Sequence, residues 1–213
     1  MSIPVAPTTR DIVLRQKYVL LGAEVWVGDP GYSSNTGRIY VFNVYSGALL
    51  RTIENPVPGT LKFGDRIFAC NGNIVASWSE KVCLLDGQTG AVVRYFSESN
   101  PSLDSTFGHD VAVEGATVYV TSFPHGHIPG NAWLYAFNSK TGALMGSVNN
   151  PNLVVESQFG LCVRAINGTV FVSDPSYKVW VPSIGRDEQI GRVYKFQGFV
   201  TSADADDTWQ VYE

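Results

Sequence analysis

Polar and apolar residues alternate in short runs along almost the whole chain. The segments QKYVLLGAEVWVGD (16–29), DRIFACNGNIVAS (65–77), HDVAVEGATVYVTS (109–122) and LCVRAINGTVFVSD (161–174) each hold two alternating runs around a glycine-centred turn. Alternation with period two over about five to seven residues predicts strands, and no apolar period of 3.6 lasts the roughly 10–12 residues a helix needs.

The stretch after each of these hairpins recurs as well. RIYVFNVYSGALLRTIENP (38–56), KVCLLDGQTGAVVRYFSESNP (81–101) and AWLYAFNSKTGALMGSVNNP (132–151) share an apolar strand, a Ser/Thr-Gly turn, a second strand and a closing Asn-Pro. The turn glycine supplies the positive φ of a tight hairpin, and proline ends the strand because it cannot donate to the ladder. A fourth copy keeps RVYKF (192–196), replaces the short turn with GFVTSADADDT (198–208) and ends on WQVYE (209–213). Phe-Gly pairs at Phe63-Gly64, Phe107-Gly108 and Phe159-Gly160 precede three of the hairpins, 44 and 52 residues apart, with Leu14-Arg15 in that place before the first.

Four-stranded antiparallel modules of about 45–50 residues repeated along a chain predict propeller blades. The expected fold is therefore all-β, a small β-propeller of four four-stranded antiparallel blades. One domain is expected over 14–213, with modules near 14–62, 63–106, 107–158 and 159–213, preceded by an extended arm at 1–13. An arc that shares its ring with other copies is the alternative arrangement.

Composition narrows the class. The 213 residues include 21 glycines and 11 prolines, with 45% hydrophobic and 16% charged positions, which excludes a disordered chain and suits many short strands joined by turns. A formal net charge of −4, with no basic run longer than two, argues against nucleic-acid binding, which needs a clustered cationic face. Cys70, Cys83 and Cys162 form no CxxC pair and read as core thiols. No export signal or bilayer-length apolar run is visible, so synthesis in a cytoplasm without membrane insertion is expected.

The recurring Phe-Gly pair, with Gly28-Asp29-Pro30, Ser122-Phe123-Pro124 and Ser173-Asp174-Pro175 after the second strands, resembles the FG-GAP family of β-propeller repeats. Module two departs from it, carrying Ser77-Trp78-Ser79 and a loop about nine residues shorter. The resemblance implies a structural role for Phe63, Gly64, Phe107, Gly108, Phe159 and Gly160, and for Asp29, Pro30, Asp174 and Pro175. The phenylalanines would wedge between blades, the glycines would turn the chain into the inner strand, and the prolines would end the second strand. An Asp before Pro is expected to bond its own turn backbone. Calcium, bound in integrin-type members through a DxDxDG loop, is not expected here, since GDPGYSSNTG (28–37) holds one carboxylate. The repeats also resemble those of virion structural proteins of marine bacteriophages.

Candidate chemistry is sparse. His125 and His127 form an i, i+2 pair without a nearby third ligand, and Asp204, Asp206 and Asp207 read as a solvated turn. His109 is expected to pack between blades. No serine sits in a G-x-S-x-G context and no glycine cluster cradles a phosphate, so no catalytic residue, metal or cofactor is expected. A glycosidase-like carboxylate pair at the channel mouth is the enzymatic alternative.

The loops 29–37, 123–131 and 175–191 should share one face, presenting Tyr32, His125, His127, Tyr177, Trp180, Arg186 and Asp187 as a binding surface. The arm, through Ile3, Pro4, Val5 and Pro7, is expected to dock to a neighbour by strand addition. The expected function is a non-enzymatic structural and interaction protein of a virion, on the capsid surface or tail, in an oligomeric assembly with protein partners. A glycan-binding or host-adhesion module is the alternative.

Overall fold

A computed structural model describes residues 17–99, 105–124, 132–151, 157–183, 185–197 and 211–212. The first sheet is β1 (Tyr18–Leu21), β2 (Glu24–Asp29), β3 (Arg38–Asn43) and β4 (Leu49–Glu54), with one short turn of helix, α1 (Tyr32–Asn35), between β2 and β3. The second is β5 (Arg66–Cys70), β6 (Asn73–Trp78), β7 (Lys81–Leu85) and β8 (Val92–Phe96), and the third is β9 (Ser105–Glu114), β10 (Thr117–Pro124), β11 (Trp133–Asn138) and β12 (Leu144–Asn149). The fourth contains β13 (Val163–Ile166), β14 (Thr169–Asp174), β17 (Arg192–Gln197) and β18 (Val211–Tyr212). Between β14 and β17 lies a separate two-stranded ribbon, β15 (Lys178–Val181) and β16 (Arg186–Gln189). Every four-stranded sheet is an antiparallel meander in chain order.

The hairpins between third and fourth strands share one turn chemistry. Asn43 Oδ1 accepts from the backbone amides of Tyr45 and Ser46, both at 2.9 Å. Asp86 Oδ1 accepts from those of Gln88 and Thr89, and Asn138 Oδ1 from those of Lys140 and Thr141. Gly47, Gly90 and Gly142 follow at φ of 70°, 77° and 79°, and the register slips next to the turn in all three sheets. An Asx turn leading into a left-handed glycine and a bulge fixes strand register where the hydrophobic alternation alone leaves it loose.

Alternation then decides the packing. One face of the first sheet, with Trp26, Ile39 and Val41, meets Ile67, Ile74 and Leu85 of the second. The second sheet's other face, with Val75, Val82 and Leu84, meets Val111, Val118 and Tyr135 of the third. The third sheet turns Ala112, Tyr119 and Leu134 toward Val163, Val170 and Tyr194 of the fourth. Among the described residues there are thus three apolar layers for four sheets. The inner strands follow suit: β5 packs on β1, β9 on β5 and β13 on β9, and among the described residues no comparable packing joins β13 to β1. The described residues thus pack as an arc of successive sheets, from the first to the fourth.

Candidate functional site

The three Phe-Gly pairs sit at the seams of this arc. Phe63, Phe107 and Phe159 are buried, each among residues of two successive sheets. Phe63 meets Trp78 edge-on at 4.8 Å, and Phe159 meets Tyr194 edge-on at 5.4 Å. Gly64, Gly108 and Gly160 adopt φ of 82°, 86° and 90°, a region closed to most side chains. Seam contact is closest at Gly28, where a Cβ would stand 1.9 Å from the Gly64 carbonyl oxygen.

Asp174 differs from the expectation of a self-bonding turn. It is fully buried and accepts from Ser157 Oγ at 2.6 Å, the Gln158 amide at 2.9 Å and Ser176 Oγ at 2.9 Å. Asn150 Nδ2 donates to the same Ser157 hydroxyl at 2.7 Å. The Asp-Pro aspartate and the Asn-Pro asparagine therefore jointly fasten the chain just before Phe159-Gly160. Asn55 does similar work in the first module, donating to the carbonyls of Thr36 and Thr60 and accepting from the Val57 amide. Asp29 ends β2 as Asp174 ends β14, and Pro30 and Pro175 follow them.

Tyr32 and Tyr177 are both half-buried under arginines. The Arg38 guanidinium lies 3.7 Å above the Tyr32 ring and 5.8 Å from Tyr40, and Arg192 lies 3.7 Å above Tyr177 and 5.7 Å from Tyr194. Each arginine is thus held between two phenol faces, and Arg38 also pairs with Glu54. The sequence signal is a repeated Asp-Pro-x-Tyr followed by Gly-Arg-x-Tyr, at 29–32 with 37–40 and at 174–177 with 191–194. In the third sheet Trp133 stacks on Tyr135 at the matching place.

The segment 175–191, expected as an open loop, is instead largely the β15–β16 ribbon. Trp180 is 61% exposed there, opposite Asp187, and Arg186 is exposed and paired with Glu188 at 2.8 Å. Its base is tied by Gln189 Nε2 to the Pro175 carbonyl. His125 and His127, the arm residues Ile3, Pro4, Val5 and Pro7, and Asp204, Asp206 and Asp207 lie outside the described residues. The His109 ring lies 5.4 Å from that of Phe123.

The short turn of module two leaves a notch on this same edge. A cleft of about 430 Å³ is lined by Lys62, Asp65, Arg66, Glu80 and His109, and a neighbouring one of about 580 Å³ by Lys81, Tyr95, Glu98 and Phe107. Arg66, which lines the first of these clefts, also belongs to a charged tie between three inner strands. Asp110 accepts from the Val163 amide at 2.9 Å and from Arg164 Nη1 at 3.0 Å, and Arg66 Nε stands 3.6 Å from its other oxygen. The inner strands also carry Glu114, which accepts from the Gly168 amide. Asp110 and Glu114 lie on one strand, roughly 13 Å apart at about 3.3 Å per residue, too far for a glycosidase pair. Among the described residues no group of three His, Cys, Asp or Glu side chains could hold a metal ion.

Electrostatics elsewhere follows burial. Arg51 bonds Glu24 bidentately at 2.8 and 2.7 Å and holds its carboxyl below the ordinary range. Burial pushes the Cys83 thiol up to about 12 and raises Cys70 and Cys162 as well. These are packing thiols, far from the thiolate character a nucleophile needs. No described helix is long and apolar enough to cross a membrane.

No family model and no curated protein matches the sequence. Solved structures do. The chain is similar to the complex of KlAtg21 with the coiled-coil of AgAtg16, at 10% identity and a TM-score of 0.60, covering 89% of this chain and 52% of that one. It is similar to the Neurospora crassa Pan2 WD40 domain at 11% identity and a TM-score of 0.53, covering 83% of this chain and 46% of that one. A europium-containing methanol dehydrogenase matches at 14% identity and a TM-score of 0.50, over 64% of this chain and 24% of that one. The chain thus spans about half the length of the first two and a quarter of the third. Its antiparallel four-stranded sheets share the fold of WD40-type β-propellers.

Proposed function

We propose that this chain is a non-enzymatic interaction protein, built of FG-GAP-like propeller repeats, whose loop edge binds a protein partner within a larger assembly. The observation that carries this reading is the construction of that edge. Arginines clamped between tyrosines stiffen the first and fourth sheets, the β15–β16 ribbon projects an exposed Trp180, and the short module-two turn opens a charged cleft between them. Rigid aromatic anchors beside polar groups are what protein interfaces concentrate. KlAtg21, a structural neighbour, was itself solved in complex with a coiled coil. The test is cross-linking mass spectrometry on the protein in its native assembly. Cross-links from Lys178 and Lys62 to one partner, lost with Trp180→Ala, support the reading, whereas their persistence in that variant, or recovery of the chain alone, refutes it.

The finer reading is a virion component, on the capsid surface or tail, docked through the arm at 1–13. It rests on the resemblance of the repeats. Co-sedimentation with phage particles that is lost when residues 1–13 are removed supports it; normal incorporation of the truncated chain refutes the docking part. A second reading, glycan binding, is favoured by the exposed indole of Trp180 on the ribbon face that also bears Asp187 and Gln189. A glycan array with the wild type and a Trp180→Ala, Tyr177→Ala variant tests it, and no binding by the wild type removes it.

A further inference from the structure

We propose that two copies of this chain close one propeller ring, the fourth sheet of each packing on the first sheet of the other. The inference stands apart from the docking reading, because it concerns the two ends of the arc rather than its loop edge.

The first sheet carries a face with no sheet on it among the described residues. Its rows are Tyr18–Val27–Tyr40 and Leu20–Val25–Phe42, six apolar side chains brought into line by the β1–β2 and β2–β3 registers. The matching rows of the third and fourth sheets are Val111–Val120–Tyr135 and Val163–Val172–Tyr194. Those rows are buried against the preceding sheet. A β-branched residue, a valine and a tyrosine make up the row that receives a preceding sheet in two modules, and among the described residues no sheet packs on the similar row of the first. Tyr18 is 67% exposed and Leu20 61% exposed as a result. Contiguous exposed apolar faces mark an interface.

The other end of the arc has the complementary vacancy. The face of the fourth sheet turned away from the third carries Ile166 and Val193, each 60% exposed, and between them the cross-strand row Arg164–Phe171–Lys195, in which the two cationic side chains flank the ring. In the seams seen here, the face of each sheet turned away from its predecessor packs on the near face of the next. Continuing the arc by one step therefore places Ile166, Phe171 and Val193 against a Tyr18–Val27–Tyr40 row.

A second copy is the occupant that supplies that row to the fourth sheet and a fourth-sheet face to the first. The chain covers 52% and 46% of the two propeller-containing chains it resembles over more than four-fifths of its own length, so two such arcs together have about the length of one of those chains. Each contact is head to tail, and head-to-tail contacts close when the rotations complete a full turn. Two copies then bury both exposed ends at once.

The test uses the full chain in sedimentation equilibrium over a concentration series, where twice the single-chain mass of 23.2 kDa is expected. Leu20→Glu and Ile166→Glu should each weaken association by roughly tenfold or more, since each places an unpaired carboxylate in the seam. Both positions are exposed in one arc, so the variants should keep wild-type circular dichroism. Tyr45→Glu, at an 86% exposed turn away from both faces, should dimerise normally. In a Cys162→Ser background, mixing Leu20→Cys with Ile166→Cys should give a bismaleimide-linked pair that neither variant gives alone. A single-chain mass at all concentrations overturns the proposal. So does a dimer indifferent to both glutamates, which would pair through another surface. If removal of residues 1–16 converts a single chain into a dimer, the chain's own arm covers the first face, and the proposal likewise fails.

Discussion

Asp110→Ala should be among the most damaging single substitutions in the chain outside the apolar layers. The carboxylate joins three sheets: Arg66 at 3.6 Å from the second, its own β9 in the third, and the Val163 amide at 2.9 Å with Arg164 at 3.0 Å from the fourth. Asp110 and Arg66 are each 6% exposed, so water replaces little of what is lost. Removing one partner of a buried ion pair costs about 3–5 kcal/mol, and a buried amide left without an acceptor costs about 1–3 kcal/mol. Arg66 keeps its bond to the Gly108 carbonyl and borders a cleft, which places the expected loss at the low end, about 3 kcal/mol. For a chain of this length that is a fall in Tm of roughly 6–12 °C. Arg164, whose side chain is 60% exposed, is the internal control: Arg164→Ala should cost under about 1 kcal/mol. Urea unfolding followed by tryptophan fluorescence measures all of these. Replacing the pair together, Arg66→Met with Asp110→Leu, should recover the ion-pair part of the loss, because an apolar pair strands no charge, while the Val163 amide stays without its acceptor. Losses for Asp110→Ala and Arg164→Ala that agree within about 1 kcal/mol, or a double variant weaker than the single one, would refute the assignment of Asp110 as the buried tie.

Three further outcomes follow from the geometry. Gly28→Ala drives a methyl into the Gly64 carbonyl and should destabilise by about 3 kcal/mol, read by thermal unfolding; a wild-type Tm would mean the first two sheets are not in that contact. The lowered carboxyl of Glu24 contributes stability that is complete above its unfolded pKa of about 4.3 and disappears as pH falls through the folded value, so wild type should exceed Glu24→Gln at pH 7 and the gap should close on acidification. Cys83, with its thiol pushed up to about 12, should resist iodoacetamide at pH 8 in the folded chain and react on unfolding, after the half-buried Cys162.

Most of the sheet architecture is legible in the alternation, because a strand's two faces are decided residue by residue. Phe63, Phe107 and Phe159 announce the seams for the same reason: a large apolar side chain beside a left-handed glycine has few other uses. The clamps were harder to see. Tyr32 and Tyr177 read as recognition residues because a loop tyrosine usually faces solvent, and only pairing each Asp-Pro-x-Tyr with its Gly-Arg-x-Tyr shows where the phenol goes. The ribbon at 178–189 escaped because its second strand, RDEQ, carries no apolar alternation. Closure of the ring could not be read at all. It depends on the rotation from sheet to sheet, a property of packing across seams that a period of two does not encode.

The stepwise contact pattern bears on how the molecule comes apart. Among the described residues each sheet packs chiefly on its sequence neighbours, so stability accumulates as a sum of sheet and seam contributions, as in a linear repeat array. Among the described residues the second and third sheets are held from both sides, and the first and fourth each from one. Amide exchange in a lone arc should accordingly begin at β1–β4 and at β13–β17 and reach β5–β12 last. In a ring joined end to end every sheet is flanked twice, and that gradient flattens into a single cooperative transition.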